Sequence, residues 1–395
     1  MNREFRLDTS HFPEELKLLL WLLNEENESD ITERVKQKLP NINWNEFLKL
    51  TRHHRVYPLI YLKLKEIEQG LIYPSILQAL HSDYIRNTFQ MLHLSGEMER
   101  VCRAFNENGI CSIMLKGPVL AEYLYGDISL RTSKDLDILV STDDIEKTEE
   151  ILFRLGYEIK SDFPRILSDW KWREHHINYF HPQNKIEIEL HWRLELGSGH
   201  EPLFHHLWER KSRSSLTSEP IYFLGEEDLF LYLTSHGARH AWFRLRWLVD
   251  IDRLVRKEPK WEEVCSLQKK HRHIHTGEQA LILASQLLRT PLKPYVKTFS
   301  FRKRSYQLAQ QSIDFIENMV DDLFAKPPKH IKDRLNHYSS LLMPPSQKCK
   351  YFISRFYPSS YDAELLMLPR ALYFIYFPLR PFLWFWRLMK QRIQA

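Results

Sequence analysis

The chain has 395 residues, with 56 Lys and Arg against 51 Asp and Glu, a formal net charge of +5, and 27% charged residues. That charged fraction excludes a disordered or wholly membrane-embedded chain, and the mild positive balance tolerates an anionic substrate without demanding nucleic acid. Gly is scarce, at 11, which with abundant Leu, Glu, Lys and Arg favours a helix-rich protein of two or three domains over an all-β one.

Residues 1–108 are expected to form an N-terminal helical region. Its start lacks the apolar core of a signal peptide, and the apolar stretch 13–23 is too short to span a bilayer. Leu16, Leu18, Leu19, Leu20, Leu22 and Leu23 make one dense segment, and the Asn- and Glu-rich stretch 24–29 predicts a loop. Trp44, Phe47, Leu48 and Leu50 recur at helical spacing before His53-His54-Arg55-Val56-Tyr57-Pro58. The stretch 79–107 predicts a long amphipathic helix ended by Gly109.

Residues 109–200 predict a mixed core. A short buried strand covers 110–115, and a helix covers 118–125 with Pro118 in its first turn, where a missing N–H costs nothing. A second strand covers 135–140. Thr142 is the expected N-cap of a helix over 143–155, closed by Gly156. The arms 175–181 and 185–194 flank Pro182-Gln183-Asn184 as a hairpin. Its second arm alternates Ile186, Ile188 and Leu190 with Glu187, Glu189 and His191.

Residues 201–328 predict a helical, substrate-side lobe. The stretch 229–256 carries apolar residues at helical intervals around His236, His240 and Asp250, and further helices fall at 277–289 and 305–324. Pro327-Pro328 and Pro344-Pro345 mark linkers. Residues 329–395 form a helical, aromatic tail. Its stretch 365–389 is interrupted by Pro369, Pro378 and Pro381 and charged by Arg370, Arg380 and Arg387. Each central Arg costs about 2.5–3.5 kcal/mol on insertion scales, against a spanning helix. Two expectations stand for 365–395: a helix folded back on the protein, or a peripheral contact with a membrane or protein partner. Cys102, Cys111, Cys265 and Cys349 lack CxxC spacing, which speaks against a zinc site and a disulfide framework and for a reducing cytoplasm.

The densest chemistry lies in Asp135-Leu136-Asp137. On a strand, residues i and i+2 share a face, so the two carboxylates project together as a Mg²⁺ (or Mn²⁺) site requires. Lys116-Gly117 sits upstream at a strand-to-helix junction, where Gly lets the backbone approach phosphate and Lys adds charge. A third carboxylate is expected from the hairpin: Glu189 is preferred, with Glu187 its rival because period-2 geometry cannot separate them. Arg131 would contact a triphosphate or orient a carboxylate. His236 and His240 are four apart on one helical face and suit packing or phosphate contact better than zinc, since no HExxH pattern accompanies them. Asp250 would make a buried bond to Arg246 or a His. Trp242, Arg244, Arg246 and Trp247 suit either a substrate clamp or a core helix with snorkelling arginines.

Leu-Lys-Gly at 115–117, Leu-Tyr at 124–125, Arg131 with Asp-Leu-Asp-Ile-Leu-Val at 135–140, and Glu-Leu-His-Trp at 189–192 together resemble the bacterial uncharacterised nucleotidyltransferases of the polymerase-beta-type superfamily. His236, His240, Trp247 and Asp250 resemble a later helical motif of that family, and His54-Arg55-Val56 with Pro58-Leu59 its N-terminal helices. The resemblance implies an α+β fold: a small mixed sheet flanked by helices, with helical lobes before and after. It implies that Asp135, Asp137 and Glu189 bind the metal, and that a nucleotide monophosphate passes from an NTP to an acceptor hydroxyl with release of pyrophosphate. The acceptor would be a small molecule, a glycan precursor, a peptide or an RNA. The chain departs from the superfamily in carrying Lys116-Gly117-Pro118 in place of the Gly-Ser of the phosphate loop. Lys116 would then supply what the hydroxyl does elsewhere.

Two alternatives stand beside a transferase of this kind. A metal-dependent glycosyltransferase also uses Asp-x-Asp, yet it gives no reason for an acid on the hairpin or for Lys-Gly upstream. A non-catalytic nucleotide-binding or regulatory protein on the same scaffold would need none of the three acids.

Overall fold

The computed structural model describes residues 6–24, 41–67, 71–161, 163–195, 200–292, 299–318, 329–343, 345–354 and 356–394. Four helices come first: α1 (Glu14–Leu23), α2 (Trp44–His53), α3 (Tyr57–Glu66) and α4 (Pro74–Glu107). Asn43 caps α2, its side chain accepting from the backbone N–H groups of Asn45 and Glu46, while Arg52 and His53 complement the dipole at the other end. The expected loop at 24–29 lies, beyond Asn24, outside the described residues.

The mixed region follows as β1 (Ser112–Met114), α5 (Pro118–Tyr125), β2 (Asp135–Val140), α6 (Ile145–Arg154), β3 (Glu158–Ser161), α7 (Trp170–Arg173), β4 (His176–His181) and β5 (Ile186–His191). After α8 (Phe204–Glu209) come two very short strands, β6 (Ser212–Arg213) and β7 (Tyr222–Phe223). The sheet runs β3-β4-β5-β2-β1-β7-β6. β2 pairs with β5, and β1 with β7, in parallel, while the other neighbours are antiparallel. The fold class is therefore α+β with a mixed sheet between helices, as expected. β1 is shorter than the predicted 110–115. Thr142 is not the cap of α6: it lies inside a 3-10 turn, Thr142–Asp144, capped by the Ser141 hydroxyl accepting from Asp143 N–H, and α6 itself starts from Asp144 with no side-chain cap bond.

The helical lobe is α9 (Glu226–Arg239), α10 (Leu245–Arg256), α11 (Trp261–Lys270), α12 (Ile274–Leu287) and α13 (Lys303–Glu317). The apolar stretch 229–256 is broken between α9 and α10. Ala241 and Trp242 take positive φ, and Trp242 N–H reaches back to the Gly237 carbonyl at 2.9 Å, closing a helix C-terminus of Schellman type. Trp242 folds so closely under Gly237 that a Cβ there would lie 2.5 Å from the indole. The tail contains α14 (Lys329–Leu342), α15 (Pro345–Ser354), α16 (Ser360–Leu365), a 3-10 turn at Arg370–Ile375 and α17 (Tyr376–Gln394).

Two main cores hold these layers. One joins α1–α3 to α9–α13 through residues such as Leu16, Phe47, Phe230, Leu248 and Leu283. The other joins the second half of α4 to the sheet through Met98, Phe105, Leu136, Ile138, Ile188 and Leu190. The alternation of β5 is the reason: Ile186, Ile188 and Leu190 are fully buried on one face, which leaves Glu187, Glu189 and His191 on the other. Among the described residues no helix is long and apolar enough to cross a membrane.

Candidate active site

The parallel pairing of β2 with β5 sets Asp135 opposite Glu187 and Asp137 opposite Glu189. Asp135 and Asp137 share one strand face, and Asp137, Glu189 and His191 bring donor atoms within 4.8 Å of one another. The register separates the two hairpin acids. Glu187 turns to Lys160 at 2.6 Å, whereas Glu189 faces His191 Nε2 at 3.3 Å.

Lys116, just after β1, places Nζ 2.8 Å from Asp137 Oδ1. His191 Nε2 lies 3.4 Å from the same oxygen. Burial opposes the charge on Asp137, yet Lys116 and His191 outweigh it and hold this carboxyl well below the usual range. Burial likewise opposes protonation of His191, and its contacts with Asp137 and Glu189 overcome that and raise it. Asp135 goes the other way. Burial, then the charges of Asp137 and Glu189, push it up to about 6. Of the three acids, Asp135 keeps its proton longest.

Gly117 takes φ 82° and ψ −148°, a conformation that L side chains rarely adopt, and it opens α5 with Pro118 next. Lys116 also lies 5.9 Å from the Tyr232 ring on α9. One turn along α9, the His236 ring packs on Tyr232, His240 and Trp247. Burial, then Lys116, push His236 well below the ordinary imidazole range, and burial with Arg239 does the same to His240, so both rings are neutral. Arg239 links this helix to the sheet, with Nη2 3.3 Å from His236 Nδ1 and Nη1 3.3 Å from His175 Nε2.

Arg131 is not with the carboxylates. It is buried in a two-pronged ion pair with Asp250, Nε to Oδ1 at 2.9 Å and Nη2 to Oδ2 at 3.0 Å. Tyr125 OH also donates to Asp250 Oδ1, at 2.8 Å. Asp250 thus pairs with Arg131, and not with Arg246 or a His as expected from the sequence. The trio ties α5 and the β2 approach to α10.

Among the neighbours of the acids, His54, Arg55, His175 and His176 were not anticipated as site residues, whereas Arg246 was weighed as part of a substrate clamp. Arg55, at positive φ in the turn between α2 and α3, senses Asp135, and burial with Arg244 lowers its guanidinium to about 10. His54 anchors that turn: its carbonyl accepts from Arg246 N–H at 3.2 Å, and its Nδ1 from Leu245 N–H at 3.3 Å. Arg246 is buried, donates to Thr132, and is lowered to about 9 by burial and then Arg131. His175 and His176 stand beside His191, ring centroids 5.6 and 4.9 Å away. The sequence signal for Arg55 was the His54-Arg55-Val56 motif, whose position in space only the fold supplies.

No curated protein matches the chain. The family described as uncharacterised nucleotidyltransferase matches residues 40–289, from the residues before α2 to just past α12, a span that contains every residue of the site above. A cluster of acids faced by a lysine and arginines is chemistry suited to a nucleotide and its counter-ion, and by this match the chain belongs to that nucleotidyltransferase family.

Proposed function

We propose that the chain moves a nucleoside monophosphate from an NTP to an acceptor hydroxyl and releases pyrophosphate, as polymerase-beta-type enzymes do. The observation that carries this reading is the register match of Asp137 with Glu189 across parallel strands, with Asp135 on the same face. The close-spaced donors are the carboxylates of Asp137 and Glu189 with the His191 imidazole, and Asp135 adds a third carboxylate on the same strand face, a set that fits a hard divalent cation. Asp135, Asp137 and Glu189 would hold Mg²⁺ or Mn²⁺, which supplies charge neutralisation on the triphosphate and acidifies the attacking hydroxyl.

The chain's own groups do the rest. Lys116, Arg55 and Arg246 bring positive charge to the triphosphate. Gly117 gives the phosphates access to the N–H groups that open α5. Glu189 helps to take the proton of the acceptor. His236 and His240, neutral and packed against Trp247, shape the wall beside Lys116. Arg131 serves by holding the β2 approach through Asp250, and touches no substrate.

The test incubates the purified chain with each NTP labelled at the α-phosphate, Mg²⁺ or Mn²⁺, and small-molecule, glycan, peptide or RNA fractions of a cell extract. The expected result is pyrophosphate release with label transfer, reduced at least about 10³-fold in Asp137→Asn. Equal transfer by the variant, or binding of sugar nucleotides alone, overturns the assignment.

A further inference from the structure

The tail lies beyond the family match, which ends at residue 289, and its last helix is built inside out. On α17, positions 376, 380, 383 and 387 fall on one stripe at helical spacing. Tyr376, Arg380 and Leu383 are buried, and Arg387 is three-quarters so. The stripe facing the protein thus carries two arginines. Both reach Asp362, itself fully buried: Arg380 by a short ion pair, Arg387 at 3.8 Å. The opposite face presents Phe377, Phe382, Trp384, Phe385, Trp386 and Met389 to the outside, with Phe382 at 73% and Phe385 at 62% exposure. A helix bathed in water on that side has the reverse order, with charge outward and aromatics inward.

The exposed face does not stop at α17. Tyr357 packs edge-on against Phe377, ring centroids 5.2 Å apart. Phe352, Ile353 and Phe356, just before it, are likewise exposed. Contiguous apolar surface of this kind marks a contact with something apolar. Charge says what. Residues 345–395 carry eight Lys and Arg against two Asp and Glu, more than the whole net charge of +5, so the rest of the chain is slightly acidic. Aromatic side chains on an exposed face, a segment of net positive sequence charge with Lys348 and Arg370 exposed, and no spanning helix among the described residues are the marks of a segment lying in an anionic membrane surface.

We propose that the C-terminal segment, chiefly α17, docks the protein on an anionic lipid bilayer, lying in the interface with Phe382, Phe385 and Trp386 inserted. The segment is rigidly presented. Ser360 donates from N–H and hydroxyl to Asp169, at 3.0 and 2.6 Å, and Arg173 donates to the carbonyls of Ser354 and Tyr357. Asp169 and Arg173 belong to the stretch leading into His175 and His176, so docking holds the acidic cluster near the bilayer.

The full chain is mixed with vesicles of phosphatidylcholine alone or with 30% phosphatidylglycerol and floated on a density gradient. The expected result is flotation only with the anionic vesicles, weakened at least tenfold by 0.5 M salt. It also falls at least tenfold in Phe382→Ser/Phe385→Ser, whose circular dichroism and thermal midpoint match the parent because both side chains point outward. Tryptophan emission should shift to the blue on binding in the parent only. Failure to float, or equal flotation by the variant, overturns the proposal. So does a parent that is a dimer in solution while the variant is a monomer, since that assigns the face to a second copy. None of these outcomes depends on nucleotide transfer.

Discussion

Two buried cation–carboxylate pairs in this fold are made to opposite designs. Arg131 and Asp250 satisfy each other with two parallel bonds, and Tyr125 fills a further acceptor site. Lys116 and Asp137 meet through one oxygen at 2.8 Å, with Glu189 and His191 crowding the same place and Asp135 on the same strand face. The first pair is closed on the carboxylate side, where both oxygens are taken, although Arg131 Nη1 is buried with no hydrogen-bond partner. In the second, Asp137 is shared by Lys116 and His191, and His191 is shared in turn with Glu189, so its groups do not close on one another. A two-pronged pair between two groups marks a brace, and several acids sharing one cation mark a site.

The largest effect expected from breaking this contrast is on the brace. Arg131→Met leaves Asp250 buried and uncompensated, which costs about 3–5 kcal/mol, read as a lower urea midpoint. Asp137→Asn should behave in reverse. Lys116 still faces Asp135 and Glu189, so the metal-free protein loses less stability than Arg131→Met does, while label transfer falls roughly 10³-fold. An Asp137→Asn protein as unstable as Arg131→Met would show that the second pair is also a brace.

Asp135 gives a pH-dependent version. Its folded carboxyl sits near 6, above the ordinary 3.8, so the folded state holds a proton that the unfolded chain has lost. Stability therefore falls as pH rises from about 4 to 6. Asp135→Asn should remove that loss. In EDTA the variant is expected to be about 1–2 kcal/mol more stable than the parent at pH 7 and equal to it near pH 4. Equal denaturation midpoints at pH 7 would deny the crowding of the three acids. The smallest effect is reserved for Glu187→Gln. Its partner Lys160 is half exposed, so stability moves by less than about 0.5 kcal/mol and transfer by less than about twofold. A large loss of transfer would make Glu187, and not Glu189, the third acid.

The local parts of this arrangement were readable in the sequence. Strand alternation put Asp135 and Asp137 on one face, and Gly117-Pro118 announced a helix start. What depended on distant partners was not readable. That Glu189 stands opposite Asp137 and Glu187 opposite Asp135 is a matter of register between strands that are far apart in the chain, and period-2 patterning is blind to it. Arg131 is a plausible phosphate ligand by type, and only the arrival of Asp250 from α10 turns it inward. The break after α9 comes from Trp242 filling the space that Gly237 leaves open, a contact that helical periodicity across 229–256 does not encode. Strands of two residues, such as β6 and β7, carry no pattern at all.

Asp137 and Glu189 belong to neighbouring strands joined only by the long way round, through α6, β3, α7 and β4. Parallel pairing of this kind forms late, because the intervening chain must be ordered first. Whatever both carboxylates grip therefore also clamps β2 to β5. Binding should appear in the kinetics of unfolding, as a slower rate with little change in refolding, and in hydrogen exchange, with the amides shared by these two strands the last to open.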